Sequence, residues 1–306
     1  MSNLPTYVLI TPARNEAQYI ESTLQSMVAQ IAKPLKWVIV SDGSTDGTDE
    51  LVRKYAAANP WIELIRMPER KERHFAGKVL AFNAGYAAVQ SLHPDIVGNL
   101  DADVSFVPDH FEFLIQKMGE NPRLGVAGAP FREGDFQYDY RFTNIENVWG
   151  GCQLFRRECF EAIGGYVPLK GGGIDHVAVV TARMKGWQTR TFPDRVCTHH
   201  RKMNTASQGL LKAKFKLGAK DYSFGNHPLW EFSRTFYQMT QPPLVFGGLA
   251  MGLGYAWSLA RGVEIPVSPE LVKFVHREQM QRLKAVFTRK PRIAVAPVTT
   301  PHAENR

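Results

Sequence analysis

The run Ile96-Val97-Gly98-Asn99-Leu100-Asp101-Ala102-Asp103 decides how this chain is read. Its first five residues, preceded by Pro94, are mostly apolar and include β-branched side chains, which predicts a short buried strand. Pro108 follows, then Phe111, Leu114, Ile115 and Met118 at helical spacing, so Asp101 and Asp103 fall where a strand gives way to a loop. That edge of an open α/β sheet is where ligands bind. Residues two apart in a strand share a face, so both carboxylates can point into one crevice, where they repel unless a cation lies between them. Mg2+ is typically held by one or two carboxylates and completed by phosphate oxygens and water. Aspartates also follow strands as solvated turns, so the neighbouring segments must decide.

Those neighbours repeat the pattern. Tyr7-Val8-Leu9-Ile10 reads as a strand, with Ile20, Leu24, Met27, Val28 and Ile31 on one face of a following helix. Trp37-Val38-Ile39-Val40 is a second strand and Ile62-Glu63-Leu64-Ile65 a third, and Gly77 to Val89 reads as a helix leading to the Asp101 strand. Strands alternating with helices predict a largely parallel sheet whose loops share one edge. On that edge fall Thr11-Pro12-Ala13-Arg14-Asn15-Glu16, Ser41-Asp42-Gly43-Ser44-Thr45-Asp46-Gly47 and the Asp101 loop. In isolation the Ser41 to Gly47 stretch reads first as an ordinary turn and helix cap, with Thr48 or a neighbour as the cap. Neither a Walker phosphate loop nor a dinucleotide glycine fingerprint is present.

Taken together, these motifs resemble the inverting family 2 glycosyltransferases of the GT-A fold. The resemblance rests on Thr11-Pro12 with Asn15-Glu16, Asp42-Gly43-Ser44-Thr45-Asp46-Gly47, Gly77-Lys78 with Asn83-Ala84-Gly85, and Asp101-Ala102-Asp103. It extends to Gly164-Gly165-Tyr166, Asp175, Arg183 and Gly186, about the first two thirds of the chain. It implies a GT-A type, Rossmann-like sheet flanked by helices, and a nucleotide diphosphate sugar donor. Thr11, Pro12, Asn15, Glu16, Asp42, Lys78 and Asp101 would meet the donor, with Asp42 near the base. Asp101, Asp103 and His200 would hold Mg2+ or Mn2+. The family often has paired acids where this chain has Ser41-Asp42, and a glutamate where it has Ile174, which leaves Asp175 as the local acid.

Asp175 is then the expected catalytic base, since inversion needs a carboxylate to take the acceptor's proton. Read from its neighbours alone, it also fits as the cap of the helix carrying Val177, Val179, Val180 and Met184. His199-His200-Arg201 follows a predicted Gln188–Phe192 strand, where a histidine suits a metal or diphosphate; a surface pair is the plainer reading. The family's processive members carry Gln-x-x-Arg-Trp after the base. Its lack here predicts addition of a single sugar.

The 306 residues, 44% apolar, predict a globular α/β domain over 1–202, a helical basic region over 203–287 and a loose tail over 288–306. Three cysteines, Cys152, Cys159 and Cys197, are odd in number and show no paired metal-ligand spacing, which fits a reducing, cytoplasmic setting. No basic, apolar leader opens the sequence. A net charge of +8 predicts acidic partners. Lys202, Lys212, Lys214, Lys216 and Lys220 form a basic stretch, and Leu244 to Ala260 an apolar one that reads as buried, interfacial or barely membrane-spanning. The resemblance implies a nucleotide diphosphate sugar donor and a glycan or lipid-linked acceptor as partners, the basic and apolar stretches add the anionic inner face of a membrane, and no nucleic acid is expected. A sugar nucleotidyltransferase or a non-catalytic anionic-ligand module are the alternatives; the first should show an early glycine-rich triphosphate loop, and the second needs no acidic loops at successive strand ends.

Overall fold

Alternation along the parallel strands divides the interior of the protein into two layers, one on each face of a central sheet. The computed structural model describes residues 4–69, 76–134, 136–137, 144–169, 171–201 and 209–287. Lys202 and the expected tail over 288–306 lie outside the described residues. In chain order the first elements are β1 (Tyr7–Ala13), α1 (Ile20–Val28), β2 (Lys36–Asp42), α2 (Thr48–Ala58), β3 (Ile62–Met67), α3 (Ala76–Val89), β4 (Ile96–Leu100) and β5 (Val104–Ser105). Next come α4 (His110–Glu120), β6 (Leu124–Gly128), β7 (Phe131–Glu133), β8 (Phe136–Gln137), β9 (Cys152–Arg156), α5 (Arg157–Ala162), α6 (Ile174–Met184), β10 (Gln188–Thr191) and β11 (Cys197–His199). The last four are α7 (Leu210–Ser223), α8 (Pro228–Met239), α9 (Val245–Ala260) and α10 (Pro269–Phe287).

The main sheet has seven strands in the order β10-β6-β9-β4-β1-β2-β3. It is parallel except at β9, which runs antiparallel between β4 and β6. Odd-numbered core residues of β1 and β2, such as Leu9, Trp37 and Ile39, face one layer with α1 and α4. Val8, Ile10, Val38 and Val40 face the other, with α3, α5 and α6. Each fully buried side chain of this size contributes roughly 1.5–3 kcal/mol of burial, and the strand cores are buried on both faces, as parallel strands with helices on either side require.

β1 runs further than its apolar pattern predicted. Pairing with β4 ends at Ile10 opposite Asn99, while pairing with β2 continues to Ala13 opposite Ser41. Beyond Ile10 the strand is bonded on one side only, a setting in which Pro12 and its missing N–H are tolerated. A smaller four-stranded sheet, β5-β11-β7-β8, sits where the chain leaves β4. Its antiparallel β5–β11 pair sets His199 opposite Val104.

The helical region packs by close backbone approach. A Cβ on Gly218 of α7 would lie 1.8 Å from the Met251 carbonyl of α9, and one on Gly254 of α9 1.9 Å from that of Phe215, so only glycine permits the crossing. Inside it, Asp221, Glu231 and Arg234 form a sealed cluster, with Arg234 2.6 Å from Asp221 and 3.8 Å from Glu231. Burial and the nearby Asp221 push the Glu231 carboxyl up to about 8. Outside, Leu229, Phe232 and Phe236 of α8 and Phe246, Leu249, Leu253 and Trp257 of α9 are exposed, Phe246 to 69% and Leu253 to 63%. The Leu244 to Ala260 stretch is thus neither buried nor spanning: α9 has 16 residues, one face on α7 and α8 and the other in the open. Among the described residues, no helix is long and apolar enough to cross a membrane.

The last helix of the region expected to be helical and basic, α10, does not stand apart. Leu271 and Val275 of α10 enter the buried layer under the main sheet. Arg183 of α6 pairs with Glu278 at 2.8 Å, and Arg282 with Glu146 at 2.5 Å.

Candidate functional site

The carboxyl ends of β1, β2 and β4 open onto a crevice of about 590 Å³. Pro12, Arg14, Glu16, Asp42, Lys78, Asp101, Asp103 and Arg201 line it. Asp101 and Asp103 reach it from a turn between β4 and β5, not from a continuing strand, so they converge through loop geometry and not through strand alternation. A second groove, about 670 Å³ between α4, β10 and α10, has its principal charges, Arg183 and Glu278, satisfied by each other.

Within the crevice each acid meets a cation. Lys78, in the first turn of α3, donates to Asp101 Oδ1 at 2.5 Å. Burial works against the Lys78 charge, but Asp101, with Asp175 and Asp103 nearby, holds its ammonium above the ordinary lysine range. Asn99 donates to Asp101 Oδ1 at 3.3 Å and to the Gly150 carbonyl at 2.6 Å, fixing the end of β4 to the segment before β9. Arg201 donates through Nε to Asp103 Oδ2 at 3.0 Å and through its other arm to Glu16. Burial disfavours the Asp103 charge, yet His199 and Arg201 together hold that carboxyl below the usual carboxylate range. At the far end Arg14 lies 3.7 Å from Asp42.

The histidine beside Asp103 is His199, not His200. His199 Nε2 is 3.5 Å from Asp103 Oδ2 and its Nδ1 3.4 Å from Glu133, whereas the His200 ring meets Ser105 Oγ at 2.8 Å. Consecutive residues leaving a strand point to opposite sides, so only one of the pair can face the aspartate. Register with β5 chooses it, and register is invisible in a lone His-His-Arg. Burial opposes the charge on His199, but Asp103 and Glu133 raise its basicity above the ordinary value.

Two expected donor contacts lie elsewhere. Thr11 is fully buried inside β1, its hydroxyl accepting from the Trp37 indole at 2.8 Å. Asn15, at φ 56, spends its side chain on the Thr45 amide at 2.9 Å. It belongs to a latch in which the Asn15, Glu16 and Ala17 amides donate to Ser44, Thr48 and Asp46. In the Ser41 to Gly47 loop, then, the turn reading holds for Ser44 and Asp46, and Asp42 alone lines the crevice. The cap of α2 is Gly47, and Asp46 takes the Thr48 amide.

Asp175 is in the first turn of α6, two residues after its N-cap Gly173, and makes no side-chain cap. It packs against Gly150, where a Cβ would come within 2.4 Å of its Oδ2. Among the described residues its carboxylate has no hydrogen-bond partner, and its charge is felt at Lys78 and at the buried Tyr166 hydroxyl. A half-buried carboxylate beside the Asn99–Gly150–Asp101 cluster is thus left with its lone pairs uncommitted. Asn99 and Arg14 carried no signal in the sequence beyond their place at strand ends.

For a divalent ion, part of the expected donor set comes together. The His199 nitrogen and Asp103 oxygen are close enough to share one cation, with Asp101 on the same crevice wall, and carboxylates plus imidazole suit Mn2+.

Residues 8–160 match glycosyl transferase family 2, the span that carries β1, β2, β4, Lys78 and both aspartates. The chain belongs to that family. Hyaluronan synthase from Pasteurella multocida is 27% identical over 127 residues, 42% of this chain and 12% of that protein. Poly-beta-1,6-N-acetyl-D-glucosamine synthase of Staphylococcus aureus strain COL is 32% identical over 117 residues, 38% of this chain and 26% of its own length. The family 2 chain thus matches only about a quarter or less of those relatives. Among solved structures, the mannosyltransferase PcManGT from Pyrobaculum calidifontis, in complex with GDP-Man and Mn2+, superposes with a TM-score of 0.57 at 22% identity, over 95% of this chain and 82% of that one. The fold is that of the GT-A glycosyltransferases.

Proposed function

We propose that this chain transfers one sugar from a nucleotide diphosphate sugar to a glycan or lipid-linked acceptor, with inversion at the anomeric carbon. The observation that carries the reading is a single crevice holding Asp101 and Asp103 with Lys78 and Arg201 at their sides. Paired carboxylates for a cation and mobile cations for phosphates are what a diphosphate leaving group needs. Asp101, Asp103 and His199 would hold Mg2+ or Mn2+; when bound, such an ion offsets the charge that develops on the departing diphosphate. Lys78 and Arg201 can turn from the aspartates to phosphate oxygens, and Asp42 can accept from the base or ribose. Asp175 takes the proton from the acceptor hydroxyl as that oxygen bonds to the anomeric carbon and the bond to the diphosphate oxygen breaks. The names of the relatives support a place in polysaccharide synthesis.

The exposed apolar face of α8 and α9 supports peripheral docking on an anionic membrane, where a lipid-linked acceptor resides. Arg261 lies 4.3 Å over the Trp257 ring, a cation and an amphipathic aromatic set side by side as at a membrane interface.

The test of the transfer reading is Asp175→Asn, measured with whichever nucleotide sugar raises the melting temperature of the wild type. Asparagine keeps the shape but takes no proton, so transfer should fall by roughly 10²-fold or more with donor affinity and melting temperature little changed. Wild-type transfer by Asp175→Asn would remove Asp175 from the mechanism.

A further inference from the structure

Three side chains that the proposed transfer does not use converge just behind the crevice. His110 opens α4, Cys152 opens β9 and Cys197 opens β11, and all three are fully buried at 0% exposure. His110 Nε2 lies 3.6 Å from Cys152 Sγ and 3.7 Å from Cys197 Sγ. The three atoms are mutually within 4.8 Å. Among the described residues the other ring nitrogen, Nδ1, is buried without a partner, so the polar company this imidazole keeps there is the two sulfurs. Sequence separation hid the group, since 42 and 45 residues part its members.

The spacing is that of a coordination shell. A tetrahedral ion with bonds of about 2.3 Å to sulfur and about 2.0 Å to nitrogen sets those two atoms about 3.6 Å apart. Charge narrows the choice of ion. Two thiolates and a neutral imidazole around a divalent ion sum to zero, which a sealed interior accepts, whereas a monovalent ion leaves a net negative charge there.

We propose that His110, Cys152 and Cys197 form a buried site for a thiophilic divalent cation, zinc, separate from the ion of the crevice. Its role is positional. Cys152 belongs to the seven-stranded sheet and Cys197 to the four-stranded one, with His110 on the helix between. Cys152 directly follows Gly151, whose carbonyl takes the Asp101 amide at 2.8 Å, and Cys197 stands two residues before His199, which faces Asp103. An ion on these three ligands fastens the two sheets together where both crevice aspartates are mounted.

Zinc content decides the matter without reference to activity. Full-length chain expressed with zinc and dialysed should carry about one zinc per molecule by elemental analysis. Asp103→Asn should retain it, and the double variant Cys152→Ser, Cys197→Ser should hold less than a tenth as much. Loading with Co2+ covers the case in which the double variant fails to fold. Wild-type chain should then show the thiolate-to-cobalt charge-transfer absorption, and Asp103→Asn should show it equally. A folded, cooperatively melting wild type that carries no zinc and gives no thiolate band with cobalt overturns the proposal. So does copper in place of zinc, or zinc that is lost in Asp103→Asn and kept in the double cysteine variant.

Discussion

The sheet region and the α7–α9 region are inside-out relative to each other. In the first, acids and cations face an open crevice, while Leu9, Trp37, Phe82 and Phe155 are buried. In the second, Asp221 and Glu231 are sealed within, Glu231 at 2% exposure, while Phe232, Phe246 and Trp257 stand outside. Like clusters of charge therefore do unlike work. In the crevice Lys78 meets Asp101, Arg14 meets Asp42, and Arg201 bridges Asp103 and Glu16, long side chains on an open wall that a ligand can draw away. Between α7 and α8 two carboxylates, Asp221 at 6% and Glu231 at 2% exposure, are themselves buried beside one arginine, and the surplus charge is settled by a proton.

The largest effect tests the open side of this contrast. Asp103→Ala removes a carboxylate that His199 and Arg201 both engage, and transfer should fall by several orders of magnitude, because metal stabilisation of leaving-group charge is worth several kcal/mol. Full activity of the wild type in EDTA would break the contrast at that end. A smaller effect tests the outward apolar face. Phe232→Ser, Phe246→Ser and Trp257→Ser together should weaken flotation with anionic phospholipid vesicles by about tenfold or more, leaving donor-induced stabilisation in place. Equal flotation of variant and wild type would show that the face meets something other than lipid.

The smallest effect concerns the sealed pair. Glu231 keeps its proton to about 8 in the folded chain, against 4.5 for the free group, so between those values the folded state holds the extra proton. Stability must then fall as pH rises through that window. Wild-type melting temperature should drop by a few degrees from pH 5 to pH 8, and Glu231→Gln should flatten the slope. A wild type whose melting temperature rises over that range would mean that Glu231 is ionised inside.

How much of this could be read from the residues follows from the range of the forces involved. Strand and helix identities came from local periodicity, and the placing of Asp42, Asp101 and Asp103 followed because parallel strands put their loops on one edge, whereas Lys78 came from the family resemblance alone. What depended on pairing register did not come through. His199 was indistinguishable from His200, and the antiparallel insertion of β9, which delivers Gly150 and Cys152, leaves no mark in Cys152–Arg156 itself. Thr11 looked like a loop residue because Pro12 follows it, whereas the one-sided pairing of β1 carries the strand past both. Nor did any spacing announce that α10 would return to the sheet.

That return has a mechanical consequence. The α7–α9 region leaves the sheet after β11 and is tied back by α10, through Glu278 to Arg183 on the helix that begins with Ile174 and Asp175. A body hung from one strap swings about it, but a body held at two points cannot. Whatever the outer face of α8 and α9 lies against, the angle at which the crevice opens above it is set by this return strap together with the packing of Phe224 on His176 of α6, as a bracket fixes a lamp to a wall.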